Sequence, residues 1–415
     1  MKQSQLFPNK SLKEAPKEEE SLNAQLLIRG GFIDKEMAGI YTYMPLGWQV
    51  IKKIEQIIRE EINSVDGQEM LMPVMQPKEY WVTTKRWGDF DVLFKIDLGE
   101  GKELVLGPTH EEVITPLAQK HIFSYKDLPF AIYQFQNKFR NEPRARSGLL
   151  RGREFLMKDL YSFHVSEQDL DLYYDKVAKT YDKIWQRTGL GELTFKTYAS
   201  GGDFSKYSHE YQTLSDNGED TIFLCEKCKL AVNKEIIKDL ENKCPDCGNE
   251  DLKERRAIEV GNIFKLKTKF SEAFGFKFTD SKGVEQPVVM ASYGIGLGRL
   301  MATVVETHHD EKGIVWPKSI TPYNVHLLEI GKNSTQMAQG IYGACQKAGF
   351  SVLYDDREMS AGAKFAEADL LGISVRLVIS DKTGDKVEWK ERAKKDIELL
   401  TQEELLNRLK AYYQE

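Results

Sequence analysis

Seventeen residues, Phe139 to Phe155 (FRNEPRARSGLLRGREF), carry five arginines: Arg140, Arg144, Arg146, Arg151 and Arg153. The stretch reads as two strands joined by a loop around Ser147 and Gly148. A solvated charged hairpin is the plain account of it. Against that account, Arg140 and Glu142 alternate with Phe135 and Phe139, which puts charged side chains on one face of a sheet interior. Burial there is costly unless a ligand satisfies them. Guanidinium forks suit phosphate and carboxylate.

Three other stretches have chemistry-bearing spacing. SYGIGLGR (Ser292–Arg299) lies between a strand and a helix. It fails the dinucleotide-binding pattern, because Gly298 comes one residue early and no acidic residue follows at the required distance. A helix N-terminus beside an arginine still suits a phosphate, and glycines also let strand and helix approach closely; both readings can hold. In LGPTHEEVIT, Thr109 and Glu111 stand two apart at a strand end, a pattern that is usually a cap with a first-turn acid. The third stretch is CEKCKLAVNKEIIKDLENKCPDCG. Cys225, Cys228, Cys244 and Cys247 stand as C-x2-C-x15-C-x2-C. That is zinc-ribbon spacing, with reduced metal-free thiols as the alternative. Four thiolates leave no open position, so such a site is structural. Cys345 shares a helical face with Met337, Ile341 and Ala348 and reads as a small buried hydrophobe.

The elements around these stretches are of two kinds. Leu46–Val65 has apolar residues at helical spacing (Val50, Ile51, Ile54, Ile57, Ile58, Ile62), and a second helix fills Asp169–Arg187. Between them and after them, strand-like runs alternate with turns, an α+β pattern with an antiparallel sheet. From Thr321 the rhythm changes to strand–helix–strand, a separate α/β unit with ITPYN as the linker.

The 415 residues favour two or three domains. A net charge of −6 excludes a global basic field, so any polyanion must meet local patches. The first twenty residues are polar and end in a Glu18–Glu20 run, with no apolar core of a signal peptide. No stretch approaches a membrane span. The few clustered cysteines fit a reducing compartment, so a cytoplasmic protein is expected.

Taken together, these stretches resemble the bacterial-type prolyl-tRNA synthetases, which are class II aminoacyl-tRNA synthetases. The resemblance covers nearly the whole chain. MAGIYTYMPLGWQVIKKIEQIIREEI resembles the dimer-forming motif 1, with Pro73 as its proline. KFRNE through REFLMKDLYSFH is similar to motif 2, and SYGIGLGR to motif 3. VLGPTHEEVIT resembles the proline-binding loop, and DDREMSAGAKFAEADLLGI the anticodon-binding domain. The implied organisation is a class II antiparallel-sheet catalytic domain over 1–320, with motifs near 46–75, 138–164 and 288–305. A short four-cysteine insertion lies at 221–256, and an anticodon-binding domain at 321–415.

The implied reaction uses ATP and Mg2+ to convert L-proline to prolyl-adenylate, then transfers the prolyl group to tRNA(Pro). By motif position the resemblance implies that Arg140 bridges proline carboxylate and α-phosphate and that Glu142 holds the adenine amino group. Phe155 stacks on adenine, Arg151 and Arg299 flank the γ-phosphate, and Gly296 belongs to the same ATP site. Glu259 holds magnesium or ATP. Glu111 and Thr109 take the two N–H groups of the secondary amine, with His209 and Asn262 in the same region. Arg144 and Arg146 meet the tRNA acceptor end, and Asp356, Arg357 and Lys364 the anticodon. A homodimer through motif 1 and a structural Zn2+ on the four cysteines complete the expectation.

Three positions depart from the family pattern. Asn262 stands where many members have His, which puts a proton-linked role there in doubt. Ser374 stands where the family usually has Pro. The interval Thr221–Arg256, 36 residues long, replaces an editing domain that hydrolyses alanyl-tRNA. An apolar pocket rejects a smaller substrate by only roughly 1–3 kcal/mol, so mischarging with alanine, uncleared in cis, is expected. A non-catalytic tRNA-binding or regulatory paralogue is the competing account, and retained Arg140, Glu142, Glu259 and Arg299 argue against it. A zinc-ribbon nucleic-acid module would explain only the cysteine stretch, where five Lys face five Asp or Glu.

Overall fold

The computed structural model describes residues 1–143, 145, 147–202, 206–331 and 333–414. They form two compact units, one of Ala38–Ile40 and Glu55–Thr303, the other of Met1–Met37, Tyr41–Ile54 and Val304–Glu415. Compactness therefore cuts the chain differently from the boundary expected near residue 320. The reason lies in the N-terminal residues. Lys2 forms a parallel bridge with Tyr354, and Gln3 is buried with its amide on Glu367.

The first unit is built on a nine-stranded sheet. Its strands are β1 (Gly67–Glu69), β2 (Phe130–Phe139), β3 (Glu154–His164), β4 (Thr194–Ser200), β5 (Tyr207–Leu214), β6 (Asp220–Cys225), β7 (Leu230–Asn233), β8 (Lys253–Lys267) and β9 (Val289–Gly296). Their spatial order is 5-4-7-6-8-9-3-2-1, and β5 also pairs with β8. Strands 4, 5, 6, 7 and 8 thus close on one another. The arginine-rich stretch joins β2 to β3, which pair antiparallel from Phe130–Phe163 to Phe139–Glu154.

Of the longer helices, α2 (Glu111–Gln119) and α3 (Glu167–Arg187) lie wholly in this unit, while α1 (Pro45–Asn63) and α4 (Leu297–Thr307) each run across the cut between the two units. The expected apolar stripe of α1 is buried from Val50 to Ile62. On α3, Leu170, Val177, Tyr181 and Ile184 are buried, but so are Tyr174 and Trp185, while Leu172 is exposed.

In the second unit, β10 (Val325–Ile330), β11 (Val352–Asp355) and β12 (Val375–Ser380) run parallel, with helices α5 (Thr335–Lys347) and α6 (Ala361–Leu371) between them. Two antiparallel strands, β13 (Val387–Glu391) and β14 (Glu398–Leu400), and a last helix, α7 (Gln402–Gln414), extend this α/β unit beyond what the sequence pattern predicts. Cys345 lies in its core, as expected. Among the described residues no helix is long and apolar enough to cross a membrane.

Candidate active site

Side-chain parity on β2 and β3 builds the floor of the site. Residues alternate between sheet faces, so Gln134, Gln136, Lys138 and Arg140 point one way, opposite Asp159, Met157 and Phe155 of β3. Two adjoining cavities open on this face. One is lined by Thr109, Glu111, Phe90, Asp159, Tyr161, Phe264 and Ser292. The other is lined by Arg151, Phe155, Glu259, Gly296 and Arg299. Arg140, Glu142, Met157, Asn262 and Gly294 line both.

Arg140 stands at this junction. Its guanidinium lies 5.2 Å from the Phe155 ring centroid and donates to the Pro108 carbonyl from Nε and Nη2, each at 3.3 Å. Burial and the nearby Arg299 pull this guanidinium below its ordinary pKa, while Glu259, Glu142 and Glu111 oppose them. A concentration of opposed charges around one half-buried cation suits a ligand that brings its own anions.

Behind the first cavity runs a closed ring of buried polar groups. The His110 backbone N–H donates to Tyr161 Oη at 3.0 Å, and Tyr161 donates to Asp159 Oδ2 at 3.0 Å. Asp159 Oδ1 pairs with Lys138 Nζ at 2.7 Å, and Lys138 Nζ lies 2.9 Å from His110 Nδ1. His110 Nε2 faces the Pro73 carbonyl at 3.1 Å. With Lys138 donating to one ring nitrogen and a carbonyl accepting from the other, His110 is a neutral imidazole. Burial and Lys138 hold its pKa down to about 4. The ring fixes the turn that presents Thr109 and Glu111, whose side chains hydrogen-bond each other. The helix cap is His110 and not Thr109, so the Thr109 hydroxyl, which donates to Glu111, keeps its acceptor lone pairs for the cavity.

The second cavity depends on an irregularity. Tyr211 pairs with Gly261 but Gln212 pairs with Glu259, so Val260 is an extra residue on β8. This bulge turns Glu259 and Asn262 to the same side, where Asn262 Nδ2 donates to Glu259 Oε1 at 2.9 Å. Arg299 Nη1 reaches Glu259 Oε2 at 3.0 Å, and its Nε donates to the Leu150 carbonyl at 2.9 Å. At Gly294 a Cβ would meet Asn262 Oδ1 at 2.9 Å, so a side chain there would push the Asn262 amide aside.

Comparison with known proteins decides what this arrangement belongs to. Residues 94–308 match the class II tRNA synthetase core domain family (G, H, P, S and T), and residues 324–412 match the anticodon-binding domain family. A proline–tRNA ligase of Dehalococcoides mccartyi is 34% identical, covering 99% of this chain and 98% of its own. The chain belongs to the proline–tRNA ligase family. Another member, from Syntrophomonas wolfei, is 33% identical over the full length of both chains. The fold matches a crystal structure of a Cryptosporidium parvum prolyl-tRNA synthetase complexed with L-proline and AMP, with TM-score 0.76 and 19% identity over 94% of this chain and 74% of that one. The D. mccartyi alignment runs over 561 positions while this chain has 415 residues. Well over a hundred positions of that relative therefore face no residue here.

Within this family frame, several expected site residues fall elsewhere. His209 is not in the amino-acid cavity. It faces α3, with Nδ1 2.9 Å from the Tyr174 hydroxyl and its ring 4.5 Å from that of Tyr198. Its neighbour Glu210 takes the site-side parity, and burial, with Glu259 nearby, pushes its carboxyl up to about 8. Arg144 and Arg146 lie outside the described residues.

The anticodon expectation needs a larger correction. Arg357 is 7% exposed, bound to Asp355 twice at 2.8 Å and to Glu367 at 3.1 Å. Lys364 is 3% exposed and donates to the Glu329 and Asp355 carbonyls. Asp356 accepts from Ser4. In this structure neither cation is free for a polyanion, because each already neutralises or caps buried groups of the unit. Arg357→Ala should therefore destabilise the protein, by about 3 kcal/mol, since it strands buried carboxylates. Thermal melting checks this; an unchanged Tm with selective loss of tRNA charging would restore the anticodon role.

The four cysteines do converge. Their Sγ atoms all lie within 4.8 Å of one another, with Cys225–Cys247 at 3.6 Å and Cys228–Cys244 at 3.5 Å. Tetrahedral Zn–S bonds of about 2.3 Å need sulfur separations of roughly this size. Both C-x2-C turns are built alike. The residue after the second cysteine, Lys229 or Gly248, has φ near 60–71° and donates to the carbonyl of the first cysteine at 2.9 Å. Although burial alone would raise it, hydrogen bonds from Cys228, Asn249 and Lys227 hold the Cys225 thiol down to about 6. The donor set fits a closed structural zinc.

Proposed function

We propose that this chain is a proline–tRNA ligase that activates L-proline with ATP and transfers the prolyl group to tRNA(Pro). The observation that carries this is Arg140 at the junction of two cavities, one with Thr109 and Glu111, the other with Phe155, Glu259 and Arg299. The secondary ammonium of proline fits Glu111 and Thr109, which leaves its carboxylate toward Arg140. Adenine fits against Phe155 with its amino group on Glu142. The phosphates fit between Arg151 and Arg299 near Gly296. Attack of the carboxylate on the α-phosphate then needs positioning and charge stabilisation more than covalent help.

Magnesium would come with the triphosphate and meet Glu259, as is usual for a cation that keeps few protein ligands. When bound it neutralises phosphate charge. Zinc on Cys225, Cys228, Cys244 and Cys247 would be structural. Residues 1–320 would serve catalysis and 321–415 the anticodon, in the cytoplasm. A homodimer through motif 1 would cover the exposed Leu71 and Met75. Arg144 and Arg146 remain the proposed contacts to the acceptor end. The test is charging of tRNA(Pro) with labelled proline by the purified protein; no charging at any tRNA concentration refutes the reading.

The missing length argues that no editing domain is present. Preformed alanyl-tRNA(Pro) incubated with the protein should decay at the spontaneous rate. Rapid enzyme-dependent deacylation would contradict this.

A further inference from the structure

The edge of β8 forks. Residues Lys253–Ala257 pair with β6 and residues Asn262–Lys267 pair with β9, both on the side opposite β5. Between the two partners, from Ile258 to Gly261, that edge meets no strand among the described residues, and Arg299 fills the gap by donating to the Glu259 carbonyl. A small cavity lies in the fork, lined by Leu150, Arg151, Glu219, Asp220, Glu259 and Arg299. Four of these six also line the nucleotide cavity. Glu219 and Asp220 are the two charged residues there that the catalytic account does not use; Asp220 begins the strand that ends at Cys225, and Glu219 directly precedes it.

We propose that Glu219 and Asp220 are positioning residues of the nucleotide site, held in place by the metal clip at the far end of the strand that Asp220 begins, so that metal loading of the four cysteines sets the affinity for ATP. This rests on the synthetase reading above.

Glu219 acts on the triphosphate end through the β2–β3 loop. Its Oε1 accepts from Ser147 Oγ at 2.8 Å, and its Oε2 lies 3.7 Å from Arg151 Nη1. It therefore anchors the loop just before Leu150, whose carbonyl holds Arg299, and it aims Arg151. Asp220 accepts from Gln212 Nε2 at 2.8 Å, and Gln212 sits opposite Glu259 across the bulge. The second strand of the hairpin is tied to the same place, since Asn233 Nδ2 donates to Glu210 at 3.3 Å and Gln212 donates to Glu210 at 3.0 Å.

Besides the cysteines, the outer end of the β6–β7 hairpin is held by a small apolar cluster around Ile236 and Ile237 and by a Tyr198–Asp246 hydrogen bond. Ile222, Leu224, Ala231 and Val232 are buried at its base. Beyond Cys225 the chain runs to Lys253 with only the short strand β7 and one 3-10 turn. A structural zinc contributes folding free energy directly. Five residue steps of strand lead from the clip at Cys225 to Asp220, about 17 Å. Loss of the metal frees β6 at one end and with it the two carboxylates at the other.

The test uses the full-length protein in two forms, as isolated and after zinc removal by a chelator, with metal content followed by elemental analysis. ATP affinity is read both by calorimetry and as KM in proline-dependent ATP–pyrophosphate exchange. Zinc removal should raise Kd and KM for ATP about tenfold, leave KM for proline within twofold, and be reversed by added zinc. Glu219→Gln should give the same ATP effect with zinc still at one per chain, and Glu219→Asp should recover part of it. An unchanged ATP affinity in the metal-free protein or in Glu219→Gln, or protein isolated without metal in every preparation, overturns the proposal. Absence of exchange would refute the synthetase reading instead, and calorimetry would still decide this one.

Discussion

Arg140→Ala should lower kcat/KM for proline-dependent ATP–pyrophosphate exchange by a factor on the order of 10^3 to 10^4, with the Tm nearly unchanged. Among the described residues Arg140 is the one cation that lines both cavities, so its fork can hold the proline carboxylate and the α-phosphate together. Losing a preorganised donor to a developing charge costs roughly 3–4 kcal/mol, and losing the alignment of two reactants adds to it. The fold needs Arg140 little, since its own contacts are one carbonyl and one ring face. Arg140→Lys should rescue poorly, because an ammonium cannot make the planar two-pronged contact. A variant that keeps a tenth or more of the activity would contradict this role.

Lys138→Met is expected to have the largest effect on stability, about 3–5 kcal/mol. It leaves Asp159, 4% exposed, without its cation in the interior. It also removes the donor to His110 and loosens the turn bearing Thr109 and Glu111. The surviving folded protein should therefore show a raised KM for proline. Lys138→Met combined with Asp159→Asn should recover part of the lost stability, because the stranded charge is gone. Denaturant unfolding of the two variants checks the point; a double variant no more stable than the single would show that the buried charge is not the cause.

How much of this was legible in the sequence depends on parity. Arg140 and Glu142 were readable because charges inside an apolar strand are too costly to bury unless a ligand meets them, Arg299 because it stands beside a helix start, and Phe155 through the family resemblance alone. His209 and Glu210 are neighbours on one strand, and a strand sends neighbours to opposite faces. The sequence does not say which face the site occupies; the pairing of Glu210 with Asn262 does. Glu259 and Asn262, three apart, share a face only because of the bulge at Val260, which leaves no trace in the residue types. The Lys138–Asp159 pair had a usable signal, since each charge interrupts a strand-like apolar run. Arg357 and Lys364 were carried over from the family resemblance, which says nothing of burial, whereas here the partners Asp355 and Glu367 are buried beside them. The cysteines were legible by spacing alone, but their tie to the nucleotide site runs through Glu219 and Asp220, which carry no motif.

The most direct measurement of the central claim is ATP–pyrophosphate exchange by the purified protein with each of the twenty amino acids in turn. Strong exchange with proline, weaker exchange with alanine, and none with the larger polar amino acids is the predicted result. Exchange that is absent with proline, or equal for proline and an unrelated amino acid, would contradict the account.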